Sequence, residues 1–230
     1  MKLILVLAFL CFIGTPTING LLSKKVLDFL SYFTCVIDNK HQKQQPGDDH
    51  ALIQARTVPV DIKCFKPNPV LFLEEGVNGV IRLFYLLVVT EGIEDTVSMD
   101  FYTIADQTNY KPREFKVESL YNMSCGAFHK VENCTASYTV ADGYLYGNFP
   151  ECTYSVGEKH PRFTSFYRCN SVTASMPQNT DQASPIEPYE LLVTQRFPVL
   201  NAPKGYVPPC PSKVDNTTNV TNDDASSSRR

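Results

Sequence analysis

The sequence predicts an α+β domain, an N-terminal amphipathic helix packed on a mainly antiparallel, disulfide-braced β-sheet or sandwich. Three observations lead there. Apolar residues recur at intervals of three and four across residues 21–37, the spacing of one helical face. From residue 58 onward the pattern turns to short period-two segments separated by Gly, Pro and Asn, which favours hairpin-linked strands over βαβ crossovers. Seven cysteines follow a leader-like N-terminus, a usage typical of chains oxidised during export.

The elements follow in order. Met1 and Lys2 precede an apolar run over residues 3–14 and then Thr15, Pro16 and Gly20, the layout of a signal peptide cleaved after Gly20. Leu22, Val26, Phe29, Leu30, Phe33, Val36 and Ile37 make the apolar stripe of the helix, with Lys24, Lys25, Asp28 and Ser31 facing elsewhere. Residues 39–50 are polar around Pro46-Gly47 and read as an exposed loop. Val58, Val60, Ile62 and Cys64 alternate with polar residues as a half-buried strand, and residues 79–90 form a long apolar one. Val97, Met99, Phe101 and Thr103 alternate again, and a strand is expected at 115–119. A further strand after Pro161 places Phe163, Ser165 and Tyr167 on one face and Thr164, Phe166 and Arg168 on the other. The count of strands expected is five to eight, from the period-two segments.

Domain organisation follows from composition. With 230 residues, 43% apolar and 20% charged, the chain has the make-up of a globular protein with a core. The division expected is a signal peptide over 1–20, one disulfide-bonded domain over 21–210, and a disordered, glycosylated tail over 211–230, where Pro, Asn, Thr, Asp and Ser dominate. A net charge of −3 leaves no polyanion surface, so no nucleic-acid partner is expected. Nor is membrane insertion, because Arg82 interrupts the longest apolar run after the leader.

Removal of the leader takes Cys11 with it and leaves Cys35, Cys64, Cys125, Cys134, Cys152, Cys169 and Cys210 as disulfide candidates. Local spacing favours Cys125 with Cys134, Cys152 with Cys169, and Cys35 with Cys64, although spacing alone does not fix connectivity. The odd thiol is either a buried Cys35 or an exposed Cys210 available for a bridge between chains; the expectation is a monomer, with a disulfide-linked dimer as the alternative. Sequons at Asn122, Asn133, Asn216 and Asn219 mark glycosylation candidates on a secreted, extracellular protein.

Catalytic machinery is harder to find. His41, His50, His129 and His160 show no ligand spacing for zinc, and Asp48-Asp49-His50 reads first as a solvated loop. Without a nucleophile elbow, a carboxylate dyad or a phosphate loop, the expectation is no enzyme, no metal and no cofactor. Aromatic residues crowd the segment from Tyr121 to Tyr167, where they serve either a small core or a binding surface. Tyr144, Leu145 and Tyr146 between two glycines, with Phe149 beyond, are the partner-binding candidates, read as a loop tip.

In its signal segment 1–20, its cysteine-rich segment 125–169 and its sequons, the chain resembles secreted immunomodulatory glycoproteins of parasitic helminths, of the type that binds an alarmin receptor. That resemblance implies occupation of a host receptor ectodomain or cytokine without turnover. The alternative function is a lipocalin-like extracellular carrier of an apolar small molecule, with residues 80–89 lining a cavity; the Gly-x-Trp entry common in lipocalins is missing, since the chain has no Trp.

Overall fold

A computed structural model describes residues 22–104, 111–151, 162–175 and 187–212. The signal segment, Cys152, Asn216, Asn219 and the tail from residue 213 lie outside them. The architecture differs from the α+β expectation. Ten antiparallel strands form a closed barrel, and a helix caps one end instead of lying across an open sheet. Period two is common to open sheets and barrels, so the alternation that gave the strands carried no information about closure.

The chain enters through helix α1 (Lys24–Phe33). Ser23 caps it by accepting a hydrogen bond from the Val26 amide at 3.3 Å. Two lysines in the first turn oppose the helix dipole; Lys24 is offset by Asp28 one turn on, and Lys25 by Glu91 at 3.3 Å and the Gly92 carbonyl at 3.2 Å. At the other end the Thr34 amide and hydroxyl both donate to the Leu30 carbonyl, at 3.0 and 2.8 Å, and the backbone turns extended. The stripe therefore stops four residues earlier than its periodicity: Val36 and Ile37 belong to strand β1 (Cys35–Asp38).

A short helix α2 (Lys40–Lys43) interrupts the expected loop before β2 (Ile53–Val60). The remaining strands are β3 (Val70–Val77), β4 (Val80–Glu91), β5 (Thr96–Ile104), β6 (Phe128–Ala141), β7 (Tyr144–Phe149), β8 (Phe163–Tyr167), β9 (Ser171–Ser175) and β10 (Tyr189–Arg196). Each pairs with the next, and β10 closes on β1 with Cys35 opposite Arg196. Closure removes the edges on which a ten-stranded sheet would otherwise pair with other chains. β3 and β4 meet through Asn78-Gly79, both at positive φ (51° and 80°), the two-residue turn whose twist suits a hairpin.

Two cores result. The interior core joins Phe29, Leu30 and Phe33 of α1 to inward residues such as Leu71, Leu87, Met99, Tyr138 and Leu145. Gly147 is required there: a Cβ would stand 2.7 Å from the Tyr138 ring. A second core lies outside the barrel, where residues 111–127 strap β2–β5 and Phe115 packs on Phe72 and Phe84 at ring distances of 5.1 and 5.0 Å. The strand expected at 115–119 is a 3-10 turn (Val117–Asn122) within this strap, and Ile62 and Cys64 fall beyond the end of β2. The strap is held by Arg56, which bonds the Glu74 carboxylate at 2.8 Å and the Phe115 carbonyl at 2.9 Å, and by the Cys64–Cys125 disulfide. This double burial explains why β4 reads as a continuous apolar run.

Candidate functional site

The two ends of the barrel differ. At the α1 end, Arg196 occupies the last inward position of β10. Its guanidinium donates to the Ser31 and Tyr32 carbonyls at 2.7 and 3.0 Å, to Cys169 at 2.7 and 2.9 Å, and to Arg168 at 2.9 Å. Ser31, placed by periodicity on the polar face of the helix, is instead buried and exchanges two hydrogen bonds with Cys210, both 3.0 Å. The Cys169–Cys210 disulfide completes the seal.

The opposite end is the mouth. There His50 joins the β1–β2 connection to the entry of β10: Nδ1 lies 2.9 Å from the Asp48 carboxylate and Nε2 2.8 Å from the Glu187 carbonyl, with the Tyr189 ring 4.8 Å away. Gln42 adds a bond to the Pro188 carbonyl at 3.0 Å and accepts from the Glu190 amide at 3.1 Å. The Asp48-His50 pair is thus neither a solvated loop nor a cation site. Both His50 partners are acceptors, so only the imidazolium satisfies both. Burial disfavours that charge, but the Glu187 carbonyl and Asp48 outweigh it and hold the His50 pKa above its usual value. A raised histidine pKa stabilises the closed latch below about 6.5, and the gain is lost as pH rises through the raised value. Hydrogen exchange, corrected for intrinsic rates, should show protection of residues 40–50 and 187–190 falling across that window; protection independent of pH would remove the latch.

Between the ends lies an interior that carries polar groups. The Tyr138 and Ser165 hydroxyls bond at 2.8 Å, and Tyr167 interacts with both. Glu75 continues the inward face of β3 after Leu71 and Leu73, opposite Leu83. It sits at a bulge, where β4 inserts Arg82 between the partners of Glu75 and Gly76, a device that commonly re-aims side chains at functional positions. Glu75 makes no hydrogen bond or ion pair with a described residue, and burial pushes its carboxyl up to about 7. It is enclosed by protein and still keeps accessible surface, as do inward Val77, Phe163, Ala174 and Tyr189 near the mouth. Accessible surface at these inward positions leaves the barrel incompletely filled at this end. Diagonal to Glu75, Tyr85 is 2% exposed and its hydroxyl has no partner. Phe101 stands edge-on to Tyr85 at 5.5 Å and to Phe149 at 4.9 Å, and Phe149 stacks on Phe163 at 4.7 Å.

The partner-binding candidates do not form one patch. Tyr144 to Phe149 is a strand, not a loop tip; the tip is Asp142-Gly143. Alternation sends Leu145 and Phe149 inward, fully buried, and Tyr144 and Tyr146 outward. The outward pair continues into Phe166, stacked on Tyr144 at 4.8 Å, and Arg168, over the Phe166 ring at 4.8 Å. The faces expected for residues 163–168 hold for the described strand: Ser165 and Tyr167 are buried, Thr164 exposed.

The local cysteine pairings are overturned. Cys64 bonds Cys125 and Cys169 bonds Cys210, so Cys210 is not free for a bridge between chains. Cys134 is disulfide-bonded to a cysteine outside the described residues. Sequence proximity fails because barrel closure brings residues 61 and 41 positions apart together. Cys35 is the free thiol among the described residues. It lies inside the barrel, and burial pushes its pKa up to about 12; it should stay unmodified by iodoacetamide in the native protein and react on unfolding, as mass mapping of Cys35 would record. Native labelling would place it elsewhere. Asn122 and Asn133 are exposed. Among the described residues no group of three His, Cys, Asp or Glu converges as a metal site, and no helix is long and apolar enough to cross a membrane.

Glu75 and Tyr85 were missed from the sequence. Glu74 and Glu75 are acidic neighbours that point apart on a strand and form no dyad, and nothing in the local pattern shows which of them faces inward. No protein-family model matches the chain, and no curated protein matches it either.

Proposed function

We propose that the protein is an extracellular carrier that holds a small, largely apolar molecule inside its barrel. One observation carries the reading: Glu75, a carboxyl on the inward face of the barrel with no partner among the described residues, keeps accessible surface beside half-buried Val77, Phe163, Ala174 and Tyr189. A core selected for stability alone would not retain such a group, since burying an ionisable side chain without a partner costs several kcal/mol, on the order of 3. The aromatic wall, the sealed α1 end and the latched mouth support the same reading, because ligand chambers pair apolar walls with a few fixed polar groups. The Cys64–Cys125 and Cys169–Cys210 disulfides and the surface sequons accord with an oxidising, extracellular setting.

The test is uptake of Nile red, a neutral apolar dye. Its fluorescence should rise and saturate at one dye per chain, and Ala174→Trp, which fills an inward position near the mouth, should weaken uptake at least ten-fold. Absence of saturable uptake by the folded wild type would end the carrier reading.

A second reading, engagement of an extracellular receptor ectodomain or cytokine in the manner of the helminth immunomodulators, draws on the outward ladder of Tyr144, Tyr146, Phe166 and Arg168, in which Tyr146 is 44% exposed. Capture of a defined ectodomain by wild type and not by Tyr146→Ala/Phe166→Ala would favour it.

A further inference from the structure

We propose that the molecule held in the barrel is an organic amine, bound as its ammonium ion by the Glu75 carboxylate with its apolar part against the half-buried inward side chains Val77, Phe163, Ala174 and Tyr189. The inference rests on the carrier reading and deepens it by naming the ligand's polar group.

Among the described residues the interior has one carboxyl, Glu75, and no ion-pair partner for it. Facing it from the described strands are hydroxyls and a thiol: Tyr85 of β4, Tyr138 of β6, Tyr167 of β8 and Cys35 of β1. Among the described residues Arg82 stands at the bulge beside Glu75 and is engaged in an interaction of its own, and the guanidinium of Arg196 is committed to four backbone carbonyls at the sealed end. His50, at the rim, is committed to Asp48 and Glu187. Nothing in the described protein therefore neutralises a Glu75 carboxylate, and a ligand's ammonium would. Ammonium–carboxylate pairing gains from the low dielectric of the barrel, and removal of either partner leaves the other buried and unpaired. The hydroxyl of Tyr85, on the same wall and without an acceptor, offers a second polar contact to a ligand that carries an oxygen.

Three other ligand chemistries would read the same chamber differently. A carboxylic acid would need Glu75 protonated and would bind better in acid; an alcohol would accept or donate at either state with little pH dependence; a plain hydrocarbon would ignore Glu75. An amine requires Glu75 ionised and itself protonated, so its binding rises through the Glu75 titration and holds until the amine loses its proton.

The experiment displaces Nile red with octylamine, octanol and octanoate at pH 8.0 and 5.5, using wild type and Glu75→Gln. Octylamine should bind wild type at least ten-fold more tightly than octanol at pH 8.0, and the preference should shrink at least five-fold at pH 5.5. Glu75→Gln should lose the amine preference at both pH values, its octylamine and octanol affinities converging. Equal binding of octylamine and octanol by wild type, tighter binding of octanoate, or an amine preference that survives Glu75→Gln would each overturn the amine assignment while leaving a dye-binding chamber intact. Failure of wild type to take up Nile red at all would fall on the carrier reading instead.

Discussion

Arg196→Met lowers the thermal midpoint of the oxidised protein by about 10 °C. The guanidinium donates five hydrogen bonds to four carbonyls belonging to the last turn of α1 and the β8–β9 turn. Methionine keeps most of the apolar stem and strands those acceptors where water reaches them poorly. Hydrogen bonds to a charged group are worth about 1.5–3 kcal/mol each, and breaking a buried ionic cluster costs about 3–5 kcal/mol in all. For a domain of this size that corresponds to a shift of about 10 °C. Arg196→Lys should recover less than half of the loss, because an ammonium lacks the planar fork that spans two chain segments. Circular dichroism melts decide it; a loss below about 1 kcal/mol would show that the helix and the disulfide seal that end without the arginine.

Glu75→Gln acts in the opposite direction and makes the ligand-free protein more stable at pH 8. Burial raises the Glu75 pKa from 4.5 to about 7 in the folded chain. Between those values the folded state holds a proton that the unfolded state has released, so wild-type stability falls as pH rises through the window and the full penalty is present above it. A difference of this size is worth about 3 kcal/mol. Glutamine does not ionise, so the variant should match wild type near pH 4 and exceed it by about 2–3 kcal/mol at pH 8 in denaturant unfolding. Saturating octylamine should raise wild-type stability and not that of the variant, since a ligand stabilises only the state it binds. A gain in stability joined to a loss of binding is the pattern of a residue kept for function. Equal stability at pH 8 would mean that Glu75 already has a partner.

What the sequence made legible was local. The α1 stripe, the alternation in β5 and β8 and the long β4 were all readable from residue spacing, because each depends on its own two faces. Closure was not. Cys64 meets Cys125 and Cys169 meets Cys210 only once the sheet has curled and the strap has crossed it. The inside of a barrel and the covered face of a sandwich impose the same alternation, so Leu71, Leu73 and Glu75 gave no sign of facing the inside of a closed barrel. Apolar runs with both faces buried, as in β3, lack a period altogether. Tyr144 to Tyr146 shows the reverse error: flanking glycines read as a loop, yet Gly147 serves the packing of Tyr138 in a strand.

The most direct measurement is mass spectrometry of protein purified from a secretory host, sprayed under native and then denaturing conditions. The native mass should exceed the covalent mass by one small molecule, released on unfolding, or show that increment once octylamine is added. A native mass equal to the covalent mass, unchanged by octylamine or Nile red, would contradict it.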